Sequence, residues 1–288
     1  VDKARGIAMM AAMHISVSHQ TTYRYDTPAT SVIQVLRLSP RNHDGQYVAR
    51  WRIDVSSDCR VDQHEDAFGN ITHSFTAEGP FGELAVTVEG EIETRDTQGV
   101  VRGAVERFPP SLFLRETALT SPDAAIASFA SAARDGAGDN PLELLHALLD
   151  RLHSDMHYDT DPTHAATTAA EAFALKRGVC QDLTHIFIAA ARSLGIPARY
   201  VGGYFRRNDG VTEQNAGHAW AEAFVPDLGW VAFDAANGIC ATDAHARVAV
   251  GLDYLGAAPV RGSRYGGSGE TMAVNVLVGE QSMRQTQS

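Results

Sequence analysis

Three residues far apart in the chain have the types and the order that thiol chemistry requires. Cys180 stands in Arg177-Gly178-Val179-Cys180-Gln181-Asp182-Leu183, His218 in Gly217-His218-Ala219-Trp220, and Asp234 in Trp230-Val231-Ala232-Phe233-Asp234. A thiol must lose its proton before it attacks, an imidazole can take that proton, and a carboxylate can orient the imidazole and stabilise its cation. Brought together, the three would attack a carbonyl carbon. The start of a helix adds two things: its unpaired N–H groups favour a thiolate there, and the same groups can face the oxyanion that forms on attack.

These residues need elements to hold them. After Cys180, the residues Leu183, Ile186, Phe187, Ala190, Ala191 and Leu194 fall on one face of a helix. Gly195 and Pro197 end it. Strand-like runs follow at 198–205, 218–225 and 229–234, the last two joined by the turn Pro226-Asp227-Leu228-Gly229. Residues of an antiparallel pair share a face only in the right register. A turn that pairs Phe224 with Trp230 puts Trp220 opposite Asp234 and His218 on the diagonal, roughly 7–8 Å away between backbones. Pairing Val225 with Trp230 instead would place His218 and Asp234 on opposite faces.

Ahead of this region the chain reads as β. Thr22–Tyr25, Val32–Leu38, Trp51–Val55 and Leu84–Glu89 are short, rich in β-branched and aromatic residues, and separated by turn signals at 26–28, 42–45, 68–70 and 79–82. Phe108-Pro109-Pro110-Ser111 marks a boundary, and helix starts follow at Ser121-Pro122-Asp123 and Asn140-Pro141. An Ala-rich helical stretch covers 167–175 and is stopped by Gly178. After Asp253 the chain loosens through a Gly/Ser run at 262–269, and a strand candidate closes it at 272–278. The fold class is α+β: an N-terminal β-sandwich-like domain at 13–115, a core at 116–250, and a connector with a C-terminal strand at 251–288. Residues 1–12 read as a leader segment.

Bulk properties narrow the function. The 288 residues are 44% hydrophobic and 20% charged, enough apolar mass for a sizeable core. A net charge of −11, with no basic run, argues against nucleic acid as a partner. No stretch has the length to span a bilayer. Cys59, Cys180 and Cys240 are an odd, scattered set, better suited to a reducing compartment than to disulfides. The expected location is the cytoplasm. Oligomeric state is silent in the sequence.

The blocks around Cys180, His218 and Asp234, with Gly195-Ile196-Pro197-Ala198-Arg199-Tyr200-Val201-Gly202-Gly203-Tyr204 between them, resemble the transglutaminase-like cysteine-enzyme superfamily. The front resembles the N-terminal domain of its bacterial branch, through Ser18-His19-Gln20-Thr21-Thr22-Tyr23-Arg24-Tyr25 and Asp66-Ala67-Phe68-Gly69-Asn70. The resemblance implies a papain-like core with Cys180 as nucleophile, His218 as base and then acid, and Asp234 as orienter. Parts of the superfamily use a Trp upstream of the nucleophile to bind the oxyanion. This chain has none between Trp51 and Trp220, and Tyr158 stands in its place, either as donor or as a packing residue. Asp182 matches a common acidic position and is expected to support the helix start or the groups behind the reacting ones, and Gln181 similarly. No calcium site of the animal cross-linking enzymes has a counterpart, and no cofactor or metal is implied.

The expected activity is hydrolysis of an amide bond in a peptide or protein substrate, through an acyl-thioester on Cys180. The alternatives are a protein-glutamine transamidase using an amine acceptor, and a non-catalytic binding or assembly module. Other residues invite simpler readings. His153 and His157 have i, i+4 spacing but no third ligand, which is a solvated helix face. His185 is assigned a structural duty, Cys59 and Cys240 are buried thiols, and Gly266-Gly267-Ser268-Gly269 lacks the Lys of a phosphate loop.

Overall fold

A computed structural model describes residues 12–280; the expected leader lies outside them except for Ala12. Two antiparallel sheets organise the chain. The first is seven-stranded and built on one long hairpin, Met13–Ser39 against Ile71–Thr94. Thr22–Tyr25 and Val32–Leu38, expected as separate strands, are parts of one. The turn signals at 26–28 and 79–82 face each other where the ladder lapses between Arg24 and Ala29. Proline has no N–H to give a ladder, so it is tolerated at such an irregularity, which bends the strand without ending it.

Gln46–Val55 and Thr271–Glu280 flank one half of this hairpin, and Val61–Glu65 and Val260–Gly266 flank the other. Tyr23, Leu84, Val86 and Val88 from the first half share a buried cluster with Val32, Leu36, Phe75 and Ala77 from the second. The sheet therefore folds over itself in a sandwich-like way. The segment 251–288, expected to stand apart, returns to this sheet: Val260–Gly266 pairs with 29–36, and Thr271–Glu280 with 15–24. The Gly/Ser run is thus strand as far as Gly266. The hairpin's open edge explains this, since its unpaired N–H and C=O groups need partners.

The second sheet carries the candidate site. Its strands run in the order Ile239–Cys240, Gly229–Asp234, His218–Val225, Ala198–Phe205, His245–Gly251, and Val100–Val101 adds to Gly229–Asp234. Helices Ala124–Ala137, Pro141–Asp155, Ala169–Leu175 and Cys180–Ser193 start where the sequence signals them, with Asp123, Asn140 and Thr168 accepting from first-turn N–H groups of the first three. Lys176, in the left-handed region at φ 54°, ends the third ahead of the breaker at Gly178. Leu183, Ile186, Phe187 and Ala190 of the last helix share a core with Ile15, Val17, Ile92, Val276 and Val278 of the first sheet. The two sheets are joined by buried apolar surface across the expected boundary near 115, while the first sheet also keeps a buried cluster of its own. Among the described residues no helix is long and apolar enough to cross a membrane.

Candidate active site

Cys180 is the first residue of the helix Cys180–Ser193. First-turn N–H groups of a helix lack the usual intrahelical acceptor. Here Val179 N and Asp182 N are bonded to Asp182 Oδ2 and Val179 O, and the half-buried thiol sits beside the N–H groups of Cys180 and Gln181. Asp182 fixes this start. Its Oδ2 accepts from Val179 N at 2.8 Å and from Thr163 Oγ1 at 2.7 Å, and the side chain is 1% exposed. Burial pushes the Asp182 carboxyl up, against the pull of these two donors. Gly178 is required beneath it: a Cβ there would lie 2.7 Å from Asp182 Oδ2.

His218 and Asp234 come from adjacent strands. Phe224 pairs with Trp230 and Ala221 with Phe233, the register that puts His218 and Asp234 on one face. His218 Nε2 donates to Asp234 Oδ2 at 2.7 Å. Nδ1 is then the ring nitrogen left for the thiol, and Cys180 is near enough to bear on the charge of His218. Burial works against charge on this ring, but the charge and hydrogen bond of Asp234, together with the neighbouring Cys180, outweigh it and raise the imidazole to about 10. Burial would likewise lift the Asp234 carboxyl, and His218 and His245 overcome it, holding the group far below the ordinary carboxylate range. Trp220 fills the space behind His218, at 1% exposure. Gly203 on the next strand makes room for it, since a Cβ there would meet the Trp220 ring at 2.7 Å and Ala246 O at 2.1 Å.

Two residues at Asp234 were not foreseen. Asn237 Nδ2 donates to Oδ2 at 2.6 Å, while Asn237 N and Ala236 N reach Oδ1 at 3.2 and 3.1 Å. His245, which opens the strand on the far side of Ala198–Phe205, donates from Nε2 to Oδ2 at 3.0 Å. The signal for Asn237 is a polar residue in the turn after Asp234. No local signal exists for His245, whose place depends on pairing with Phe205. The ligand atoms of His218, Asp234 and His245 lie within 4.8 Å of one another. A metal would need the Nε2 lone pair of both rings, but Thr242 N–H occupies His245 Nδ1 at 3.0 Å and leaves the ring proton on Nε2. The set is chemically a hydrogen-bonded carboxylate and does not fit a metal.

Tyr158 lies on the short strand His157–Tyr158, paired in parallel with Arg177–Gly178 just before the cysteine. It is 62% exposed, and burial of part of the ring together with the neighbouring Cys180 raises its hydroxyl. Gln181 reaches away, toward Ala165 O at 3.4 Å. His185 is fully buried, and its Nε2 accepts from Tyr254 N at 3.0 Å, a structural contact. His153 contacts Ala235 O through Nδ1 at 3.2 Å, while His157 is on the exposed strand, so the pair does not converge. All three cysteines are free; burial pushes the Cys240 thiol up to about 11 and also raises Cys59.

Residues 129–235 match the family model of the transglutaminase-like superfamily, and residues 15–93 match that of the bacterial transglutaminase-like N-terminal region. An uncharacterized protein of Mycobacterium leprae is 31% identical over 269 residues, covering 88% of this chain and 94% of its own. A second, from Mycobacterium tuberculosis, is 27% identical over 96% of this chain and 95% of its own. A Pseudomonas aeruginosa protein-glutamine gamma-glutamyltransferase is 29% identical over 144 residues, 44% of this chain and 21% of that one. A solved chain from Cytophaga hutchinsonii, named for a cysteine protease, shares the fold with a TM-score of 0.75 at 18% identity, over 96% of this chain and 93% of its own. The chain therefore belongs to the transglutaminase-like superfamily, with a bacterial transglutaminase-like N-terminal region ahead of its core.

Proposed function

We propose that this protein is a cysteine-dependent hydrolase of amide bonds in peptides or proteins. The observation that carries the reading is the thiol at a helix start, beside an imidazole whose Nε2 a buried carboxylate holds and whose Nδ1 is left for the thiol. Cys180 gives its proton to His218, and Sγ attacks the carbonyl carbon. The C–O π pair moves to oxygen, where first-turn N–H groups and the Tyr158 hydroxyl are the available donors. The pair returns, the C–N bond breaks, and His218 passes its proton to the leaving amine. Water then attacks the thioester, gives one proton to His218, and expels the Cys180 sulfur, which recovers the proton. Asp234 stays ionised throughout and stabilises the imidazolium. A reducing compartment such as the cytoplasm, suited to three free thiols, would keep Cys180 in its reactive form.

Two measurements test this. Iodoacetamide at near-neutral pH is expected to modify Cys180 faster than Cys59 and Cys240, and His218→Ala to remove that advantage. Equal rates at the three thiols would favour a non-catalytic module. Mass spectrometry of peptide and protein substrates, with and without a primary amine, is expected to find a new carboxylate in both cases. The resemblance to the Pseudomonas aeruginosa gamma-glutamyltransferase supports the alternative, transamidation, and amine-bearing product in place of acid would establish it.

A further inference from the structure

We propose that His245 is a positioning residue that holds Asp234 in the orientation in which Oδ2 meets His218. The inference rests on the reading of Cys180, His218 and Asp234 as the reacting set. His245 Nε2 lies 3.0 Å from Asp234 Oδ2, the same oxygen that His218 Nε2 reaches at 2.7 Å. Its tautomer is fixed by Thr242 N–H, which donates to Nδ1 at 3.0 Å. The ring has no room to turn. Phe205 packs on it with centroids 4.7 Å apart, and Trp220 meets it edge-on at 5.2 Å.

The other side-chain donor to this oxygen, Asn237, approaches from an exposed turn. His245 approaches from within a strand and is 6% exposed. It is thus the donor whose direction the fold dictates, and a donor of fixed direction sets the carboxylate plane.

The neutrality of His245 matters as much as its place. An uncharged donor satisfies a lone pair of Oδ2 without competing for the carboxylate's charge, which stays available to the His218 imidazolium. Burial favours the uncharged ring over the pull of Asp234. Among the charged neighbours, His218 shares the same carboxylate and opposes a second charge, and His43, Arg95, Glu222 and Arg247 line the crevice that His245 borders.

The test uses the full chain with two substitutions. His245→Phe keeps an aromatic ring, somewhat larger, and removes the donor; His245→Gln keeps a side-chain N–H at similar reach. The readout is the rate of iodoacetamide modification of Cys180 at neutral pH, with Cys59 and Cys240 as internal references. His245→Phe is expected to slow Cys180 about tenfold, equivalent to about 1.4 kcal/mol, and His245→Gln to restore most of the rate. Should the Phe variant fail to fold, His245→Asn, too short to reach Oδ2, replaces it with the same expectation. A Phe variant as fast as the unsubstituted chain would overturn the role, as would Phe and Gln variants equally slow. Failure of the underlying reading looks different: the unsubstituted chain would then show no Cys180 advantage at all.

Discussion

Phe224 lies directly opposite Trp230 across the turn Pro226-Asp227-Leu228. That one pairing decides that His218 and Asp234 share a face, because a slip by one residue turns every side chain of a strand over. Deleting Asp227 is expected to impose such a slip and abolish the labelling advantage of Cys180. Asp227→Gly preserves the count. Asp227 already has φ 69°, a region glycine adopts freely, so stability should stay within about 1 kcal/mol of the original. Thermal unfolding and thiol labelling of the two variants check both statements.

Asp234→Asn should lower peptide cleavage by about 10³–10⁴, as expected when a carboxylate no longer fixes the tautomer of its histidine. The substitution also has a pH signature. The folded-state pKa of His218 is about 10 against an ordinary 6.5, so its stabilising effect is fully present below about 6.5 and is lost as pH rises through about 10. The depressed carboxyl of Asp234 acts in the opposite sense, giving stability that is present above about 3.9 and lost as pH falls. The stability gap between the unsubstituted chain and Asp234→Asn should therefore be largest between about pH 4 and pH 6.5 and should close toward pH 10 and above. Urea unfolding across this range measures it.

Glu222 anchors the histidine strand on the face that His218 and Trp220 also use, four residues along from His218. It is 0% exposed, and it accepts from Arg199 Nε at 2.6 Å and from Arg247 Nε at 2.7 Å. Burial opposes its charge, but the two guanidiniums outweigh this and lower the carboxyl to about 2. Arg199 also lies 3.8 Å over the Trp230 ring and pairs with Glu106. Glu222→Ala leaves Arg247 buried without its carboxylate and Arg199 with Glu106 alone, and should cost about 3–5 kcal/mol of stability. A loss under about 1 kcal/mol in denaturant unfolding would mean that the pair behaves as a solvated one.

Asp182→Ala removes the acceptor for Val179 N–H and Thr163 and should destabilise by about 1–2 kcal/mol, the range of a lost helix cap. Asp182→Asn keeps an acceptor oxygen of the same shape. Because burial already disfavours the ionised carboxyl, the amide should recover much of the loss. Calorimetry on both variants, with Cys180 labelling as a local probe, separates the effect on the helix start from global unfolding.

Much of the half that carries the candidate site was legible because its signals are local. The strands Ala198–Phe205, His218–Val225 and Gly229–Asp234 and the helix after Cys180 are bounded by turn and cap residues within a few positions of their ends. The front half misled where the same local signals were overruled. Pro28 and Pro80 mark turns in a short window, yet the hairpin passes both, because strands on either side supply enough ladder to carry the chain across a gap in pairing. The Gly/Ser run likewise looks loose alone and becomes a strand at the hairpin's open edge.

By itself the sequence determined the order of elements, the placement of Cys180 at a helix start, and the turn between the strands of His218 and Asp234, while leaving two registers open; the fold chose the one that joins them. Tertiary structure alone decided that His245 and Asn237 gather on Asp234, that the C-terminal strand returns to the first sheet, and that the two halves share a core. The physical reason is range. Caps, turns and periodicity act over a few residues, whereas His245 reaches Asp234 only because its strand pairs with Phe205 across the middle of the sheet, a choice made by burial and ladder hydrogen bonds between distant segments.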